Sequence, residues 1–140
     1  MHLDIFTLFP DMFHGPLDES ILARARARGL LDIALHNPRA ATADRHHVVD
    51  DYPYGGGAGM VIKPDPLFAA VEAIHAGGPI ILLGPAGRVF DQALAQALAQ
   101  EERITLIWLA MGLSSLIGWA LPASSCSQRS STKLKLMVSW

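Results

Sequence analysis

Cysteine is nearly absent from this chain of 140 residues, since Cys126 stands alone, and this excludes an intrachain disulfide framework or a zinc site built from several thiolates. The net charge of −2 at pH 7 excludes the global basic field of a general nucleic-acid coat protein. A polyanion would have to meet a local basic patch. The N-terminus lacks the basic-then-apolar layout of a secretory signal, so we expect a cytoplasmic protein.

Acidic residues are absent after Glu102, although the chain contains 13 of them. All six histidines also lie in this first part of the chain, whereas all three tryptophans and eight of the nine serines follow residue 103. The composition therefore changes abruptly near residue 103, as it would between two portions of different origin.

Charge is missing from residues 104–128, and Ile104–Leu121 is mostly apolar and long enough to span a bilayer. Serines and glycines dilute this stretch. We therefore expect no association with a membrane, and a module tethered through residues 104–121 stays open as an alternative.

Short apolar runs bounded by proline, glycine or asparagine predict strands at His2–Phe9, Leu30–His36, Ile80–Leu83 and Ile104–Ile107. Helices are predicted at Pro16–Arg28, Pro64–Ala76 and Phe90–Gln100, with a turn at Gly84–Arg88. Strands that alternate with helices, and that are apolar without strict alternation, indicate an α/β fold with a parallel sheet covered by helices on both faces. Ligands of such a sheet bind beyond the carboxyl ends of its strands.

Glycine is concentrated between two acids and an apolar run, with four glycines in the five positions 55–59. A P-loop would require Gly-Lys-Ser/Thr at its end, whereas Met60 and Val61 follow here. The dinucleotide-binding fingerprint is also interrupted by Val61. Either the segment is a flexible surface loop, or its backbone lies against a ligand by another mechanism.

The connection between residues 37 and 60 is rich in charge. His46 and His47 are adjacent, so their side chains diverge, and we expect no metal site. A Ser-His-Asp arrangement fails because Ser20 is the only serine among the first 103 residues. Arg39 and Arg45 could contact a phosphate backbone or could be solvated surface charges.

Several segments together resemble one family, the bacterial tRNA (guanine-N1)-methyltransferases of the knotted SPOUT class. The order and spacing of the matching segments agree from Met1 to about Ile107. They are Asp4–Pro10 with Met12-Phe13, Gly29–Leu31, Asn37–Arg39, Asp44–His46, Val49–Met60, and Pro85–Arg88 leading into Phe90–Gln92. The most specific of them is Asp-Asp-Tyr-Pro-Tyr-Gly-Gly-Gly-Ala-Gly-Met at residues 50–60.

The resemblance implies a homodimeric enzyme that transfers a methyl group from S-adenosylmethionine to N1 of the guanosine 3′ of the tRNA anticodon. It implies a cofactor pocket with one wall formed by Leu82, Leu83, Gly84 and Pro85. It also implies contacts with the guanine and the tRNA from Asp50, Tyr54, Gly55, Gly56, Gly57, Gly59, Arg39 and Arg45. Unstacked bases of an anticodon loop offer their Watson–Crick edges, which suits such recognition.

The resemblance ends after Ile107, where the family continues with a Cys-Gly-Arg-Tyr-Glu-Gly segment, an Ile-Gly-Asp-Tyr-Val-Leu-Thr-Gly-Gly-Glu segment and a helical domain that carries the catalytic aspartate. Residues 1–107 are therefore expected to be the N-terminal portion of the methyltransferase domain, with an incomplete knot. Residues 108–140 are expected to be an unmatched tail, read out of frame, and no catalytic residue can be assigned. The chain is expected to be truncated and inactive, and a non-catalytic remnant that binds RNA or a partner is the alternative.

Overall fold

A computed structural model of the chain describes residues 1–42, 48–52, 60–109 and 136–139. The strands are β1 (His2–Phe6), β2 (Asp32–His36), β3 (Asp50–Asp51), β4 (Val61–Ile62), β5 (Ile80–Val89), β6 (Arg103–Ile107) and β7 (Leu136–Ser139). The helices are α1 (His14–Leu17), α2 (Ser20–Ala27), α3 (Pro64–Ile74) and α4 (Gln92–Leu98), with single 3₁₀ turns at Pro10–Phe13 and Pro38–Ala41.

Five strands form one sheet in the order β2-β1-β6-β5-β7, and every neighbouring pair is parallel. Ile5 in the middle of β1 lies opposite Leu35 of β2 and Leu106 of β6. The parallel sheet predicted from the apolar runs is confirmed. Two features were not predicted, namely the antiparallel β3–β4 pair and the edge strand β7, which lies within the tail that was expected to match nothing.

Helices cover both faces of this sheet, as predicted. Because side chains alternate between the faces of a strand, Leu82 and Ile107 belong to one apolar cluster while Ile81 and Ile104 belong to the other. The first cluster contains the buried residues of α3, which recur at helical spacing as Leu67, Ala70 and Val71. The second contains Leu94 and the partly buried Leu98 from α4 and its end.

The helix predicted over residues 16–28 is two helices, which corrects that interpretation. α1 ends at Leu17, and α2 begins at Ser20, whose φ of +54° lies outside the helical region. Arg26 of α2 donates to the carbonyl of Leu17 at 3.2 Å and pairs with the carboxylate of Asp18. The two helices are therefore joined by a break that a basic side chain bridges.

Gly29 ends α2, as the sequence predicted, and its φ of +68° explains why glycine is needed there. Its amide donates to the carbonyl of Arg26 at 2.9 Å, and the amide of Leu30 donates to the carbonyl of Ala25 at 3.0 Å. This pair of hydrogen bonds is a Schellman motif, which satisfies carbonyls that the end of a helix leaves unpaired.

The turn predicted at residues 84–88 is wrong, because β5 continues from Ile80 to Val89. The pairing with β7 is nevertheless irregular there, since Leu83 and Arg88 both lie opposite Val138. Residues 84–87 therefore form an excursion of the strand backbone, and the glycines that suggested a turn lie at its two ends.

No helix among the described residues is long and apolar enough to cross a membrane. The first four residues of the proposed anchor, 104–107, form part of the central strand β6, so an anchor that begins at Ile104 is wrong. Residues 110–121 lie outside the described part of the chain.

Candidate functional site

The carboxyl ends of the parallel strands meet at one edge of the sheet, where ligands of α/β folds bind. Beyond β6, the amide of Trp108 donates to the carbonyl of Phe6 at 2.9 Å. Its indole meets the ring of Phe13 edge to face, with 4.9 Å between the ring centroids. This aromatic pair fixes the segments that follow β1 and β6 beside each other.

Arg39 lies in the 3₁₀ turn that follows β2. The Asn37 side chain caps this turn by accepting from the Arg39 amide at 3.0 Å, and the Thr42 hydroxyl donates to the Arg39 carbonyl at 2.8 Å. Pro38 is buried and Arg39 is exposed. The turn therefore presents a cationic side chain to solvent from a backbone that is held on both sides.

Asp50 and Asp51 form β3 and pair with Ile62 and Val61 of β4, respectively. The pair is extended by a hydrogen bond of 2.7 Å from the Lys63 amide to the Val49 carbonyl. This two-stranded ribbon joins the two ends of the glycine-rich segment. The ribbon therefore fixes where the segment leaves the fold and where it returns.

The two acids of the ribbon differ in their surroundings. Asp51 is exposed, accepts from the Tyr52 amide at 2.8 Å, and lies 3.8 Å from the Lys63 ammonium nitrogen. Asp50 is half-buried, and neighbouring side chains of a strand point to opposite faces. The side chain of Asp51 therefore contacts neighbouring residues of the ribbon, whereas the side chain of Asp50 points to the opposite face of the ribbon.

One apolar cluster brings the predicted RNA-contacting and cofactor-contacting segments to the same face of the sheet. It includes Leu82 and Val49, which precedes Asp50, and Ala41 at the end of the Arg39 turn packs against it. Ile62 of the ribbon and Leu109 after β6 also belong to it. Segments that are far apart in sequence therefore share one packed base under the carboxyl edge.

The predicted cofactor wall, Leu82 to Pro85, lies where the regular pairing of β5 ends. Leu82 is buried in the cluster that contains α3, whereas Leu83 packs against the cluster that contains α4. Gly84 is buried and begins the backbone excursion of residues 84–87. The two leucine side chains therefore pack on opposite faces of the sheet, just before the backbone departs from the regular pairing.

Other predicted site residues lie outside the described part of the chain, and the side chain of Pro85 lies outside it too. They are Arg45, Tyr54, Gly55, Gly56, Gly57 and Gly59. Within the described ranges, no group of three or more His, Cys, Asp or Glu side chains could hold a metal ion.

Sequence reasoning missed a polar network around Asp4, which is only 1% exposed in the middle of the sheet. Its carboxylate accepts from Arg103 Nε at 2.8 Å, His36 Nε2 at 2.8 Å and His2 Nε2 at 3.1 Å. His2 also contacts Asp32 through Nδ1 at 2.7 Å. A visible signal was the acid inside an apolar strand, two residues from a histidine on the same face.

The network determines the pKa of Asp4. Burial alone would raise this pKa, but the hydrogen bonds from Arg103, His36 and His2 outweigh it and hold the pKa below its ordinary value of 3.8. The carboxylate is therefore ionised at neutral pH, and its charge is matched by the donors around it.

Replacing Asp4 with asparagine is expected to lower the free energy of unfolding at pH 7 by about 2 kcal/mol, the range for hydrogen bonds to a charged group whose partners can regain water. Since the folded-state pKa lies below 3.8, the carboxylate stabilises the fold above that pH and loses this effect as the pH falls through the folded-state value. Urea unfolding of both proteins from pH 7 to pH 2 checks this. The two stability curves should converge at the acidic end, and a constant gap would contradict the assignment.

Comparison with known proteins agrees with this geometry. The family described as tRNA (Guanine-1)-methyltransferase TrmD matches residues 1–110. A tRNA (guanine-N(1)-)-methyltransferase of Geotalea uraniireducens is 54% identical over 110 residues, which cover 76% of this chain and 44% of that protein. A protein of the same description from Chloroflexus aggregans is 53% identical over 111 residues, with the same coverage of 76% and 44%.

A solved structure gives the fold. The crystal structure of tRNA (m1G37) methyltransferase from Aquifex aeolicus superposes with a TM-score of 0.68 at 29% sequence identity, over 76% of this chain and 50% of that one. The parallel sheet and its helices thus form the N-terminal part of a methyltransferase fold of the SPOUT class. The chain belongs to the tRNA (guanine-N1)-methyltransferase family. It spans less than half of the length of the curated relatives it matches.

The family match ends at Ala110, three residues beyond the boundary predicted at residue 107. Leu109 is buried in the cluster that contains α3, so the packing also extends past residue 107. The division of the chain into residues 1–107 and 108–140 stays a prediction.

Proposed function

We propose that residues 1–110 contribute the guanosine-contacting surface, and part of the cofactor-contacting surface, of an enzyme that methylates N1 of the guanosine 3′ of the tRNA anticodon. The observation that carries the proposal is the shared apolar base under the carboxyl edge, on which the Arg39 turn, the Asp50 ribbon and the start of the β5 excursion all rest. Family membership supplies the reaction.

The RNA would approach the side of the sheet that carries Arg39 and Asp50. Arg39, an exposed residue on a fixed turn, suits a phosphate contact, which positions an RNA without reading its sequence. The half-buried carboxylate of Asp50 can accept hydrogen bonds from the donors on the guanine edge. The glycine-rich segment between the strands of the ribbon would let the backbone lie against an unstacked base.

The excursion of β5 fits part of S-adenosylmethionine. Residues 84–87 leave the regular strand pairing at the carboxyl edge, and a flat, polar group bound there would lie against their backbone. When bound, the cofactor supplies an electrophilic methyl group. The backbone around Gly84 and Gly87 would fix the orientation of the cofactor. Because the two glycines carry no side chain, the space beside them would stay open to it.

Removal of the N1 proton of guanine as the methyl arrives requires a positioned base. No residue within 1–110 is assigned that role, and residues 111–140 do not extend the family match. We therefore propose that the 140-residue polypeptide does not transfer methyl groups by itself, and that its tail is read out of frame. Sequencing the encoding DNA past codon 103 checks the second point, since another frame should restore Cys-Gly-Arg-Tyr-Glu-Gly.

A chimera tests the function of the matched residues. Residues 1–110 joined to the part of the Geotalea uraniireducens relative that follows its matched segment should methylate a tRNA that carries guanosine 3′ of the anticodon. The 140-residue polypeptide should yield no N1-methylguanosine in the same assay. Radioactive methyl transfer, followed by nucleoside analysis, measures both.

The chimera also separates the alternatives. A folded chimera that binds the tRNA but transfers nothing would support the non-catalytic remnant. Methyl transfer by the 140-residue polypeptide would contradict the proposed lack of a base. The cytoplasmic location and the homodimer that the family implies belong to the proposal as well, and sedimentation of the chimera should give the mass of a dimer.

A further inference from the structure

We propose that Asp4, acting through His36, is a positioning residue for the turn at Pro38–Ala41, and thereby sets the place of Arg39 for RNA. The first half stands on the geometry alone, and the link to RNA rests on the proposed function. Asp4 lies outside every segment assigned to the cofactor or the guanosine.

The connection begins at a single buried carboxylate that joins three strands. Asp4 of β1 accepts from Arg103 of β6 through one oxygen and from His36 of β2 through the other, each at 2.8 Å. His36 is the last residue of β2. The carboxylate therefore fixes the end of the strand from which the turn departs.

His36 is held in three ways, of which only one depends on Asp4. Its carbonyl accepts from the Thr7 amide at 2.9 Å, and its ring lies 5.0 Å from the ring of Phe6. The carbonyl contact holds the backbone, and the ring contact holds one face of the imidazole. The hydrogen bond from Nε2 to Asp4 ties the tip of the imidazole to the central strands, and it requires the proton on Nε2.

The turn follows His36 without a spacer. Asn37 caps the turn with two hydrogen bonds of 3.0 Å. Its side-chain Oδ1 accepts from the Arg39 amide, and its backbone carbonyl accepts from the Ala40 amide. A shift of the His36 backbone therefore moves the two acceptors of Asn37, and the turn follows. The charged side chain of Arg39 is displaced with it.

Hydrogen exchange in the full 140-residue chain tests the first half. Replacing His36 with phenylalanine keeps an aromatic ring beside Phe6 but removes the donor to Asp4. We expect the amides of Arg39 and Ala40 to exchange about tenfold faster, the effect of losing one hydrogen bond to a charged group. His36→Gln can still donate to Asp4 and should exchange at close to the wild-type rate.

His75, which follows the last residue of α3, provides the matched control. Its Nδ1 lies 3.1 Å from the hydroxyl of Thr105 in β6, away from Asp4 in the hydrogen-bond network. His75→Phe should lower the melting temperature and leave exchange at Arg39 and Ala40 unchanged. Uniformly faster exchange across the sheet in His36→Phe, or equal behaviour of the Gln and Phe variants, would overturn the positioning role.

A double-mutant cycle tests the link to RNA, with a hairpin of the anticodon stem and loop as the probe. If His36 acts through Arg39, then His36→Phe should weaken binding in the wild-type background and have little further effect in an Arg39→Ala background. Independent, multiplicative losses would overturn the link. Absence of any binding by the chain would contradict the proposed RNA surface, while the exchange data would still decide the positioning role.

Discussion

Replacing Gly78 with alanine is expected to destabilise the fold by more than about 3 kcal/mol, at the upper end of what single substitutions do. Gly78 has a φ of +86°, which side chains of L-residues rarely adopt. A Cβ added there would lie 2.2 Å from the carbonyl oxygen of Arg103 and 3.1 Å from its carbonyl carbon. Backbone atoms cannot move aside as the tip of a flexible side chain can.

The consequence of that collision extends beyond the loop. Arg103 is the first residue of β6 and donates to the buried carboxylate of Asp4. The residue after Gly78 is Pro79, and its carbonyl accepts from the Thr105 amide of the same strand at 3.0 Å. Displacing the backbone at residue 78 therefore loosens the start of the central strand together with the polar network.

Gly77 is a matched control for this prediction. Its φ of +113° is also unfavourable for alanine, but no atom lies within 4 Å of an added Cβ. Gly77→Ala should therefore cost about 1 to 2 kcal/mol, the penalty of the backbone conformation alone. Urea unfolding of both variants measures the difference. Equal losses at the two positions would mean that the contact with Arg103 does not matter.

The sequence predicted the parallel sheet because its four main strands are mostly apolar without strict alternation, a pattern typical of a sheet that is buried on both faces. Gly29 was recognised as a helix stop for a similarly local reason, since a positive φ suits glycine. These features depend on residues that are close in sequence. They could therefore be read without knowledge of the fold.

Features that depend on distant partners were missed. Asp4 and Arg103 are 99 positions apart, and nothing near either residue in sequence points to the other. The β5 strand was predicted to end at Leu83. Its continuation to Val89 pairs with β7, which is formed by the distant residues 136–139, so nothing nearby in sequence indicates it. One local feature was missed as well, the break at Ser20, because the apolar spacing continues across it.

The candidate site was partly predictable for the same reason. The charged residues after β2 and the glycine-rich segment stand out in sequence, and family resemblance supplied their roles. The arrangement on a shared apolar base came only from the structure, through Ala41, Val49 and Leu82. The packing of Leu82 and Leu83 on opposite faces of the sheet also came only from the structure, and the cofactor wall that includes them stays a prediction.

Replacing Gly57 with valine in the chimera is expected to lower kcat/KM for the tRNA by more than about 100-fold, because a small displacement of a bound base suffices for such a loss. A branched side chain resists a positive φ and would hold the backbone away from the guanine. The affinity for S-adenosylmethionine should change little, since the proposed cofactor contacts lie on the β5 excursion. Steady-state kinetics with tRNA and calorimetry with the cofactor measure the two effects in the same protein.

Two further variants make this prediction sharper. Asp50→Asn should also weaken use of the tRNA, since it replaces the carboxylate proposed to accept from the guanine edge. Gly15→Val is the control, because no atom lies within 4 Å of an added Cβ at Gly15 and the residue lies in α1, outside every segment assigned to the guanosine or the cofactor. If Gly57→Val reduced tRNA use and cofactor affinity equally, with a lower melting temperature, the glycines would only support the fold. The guanosine site would then have to be sought outside the segment that the β3–β4 ribbon encloses.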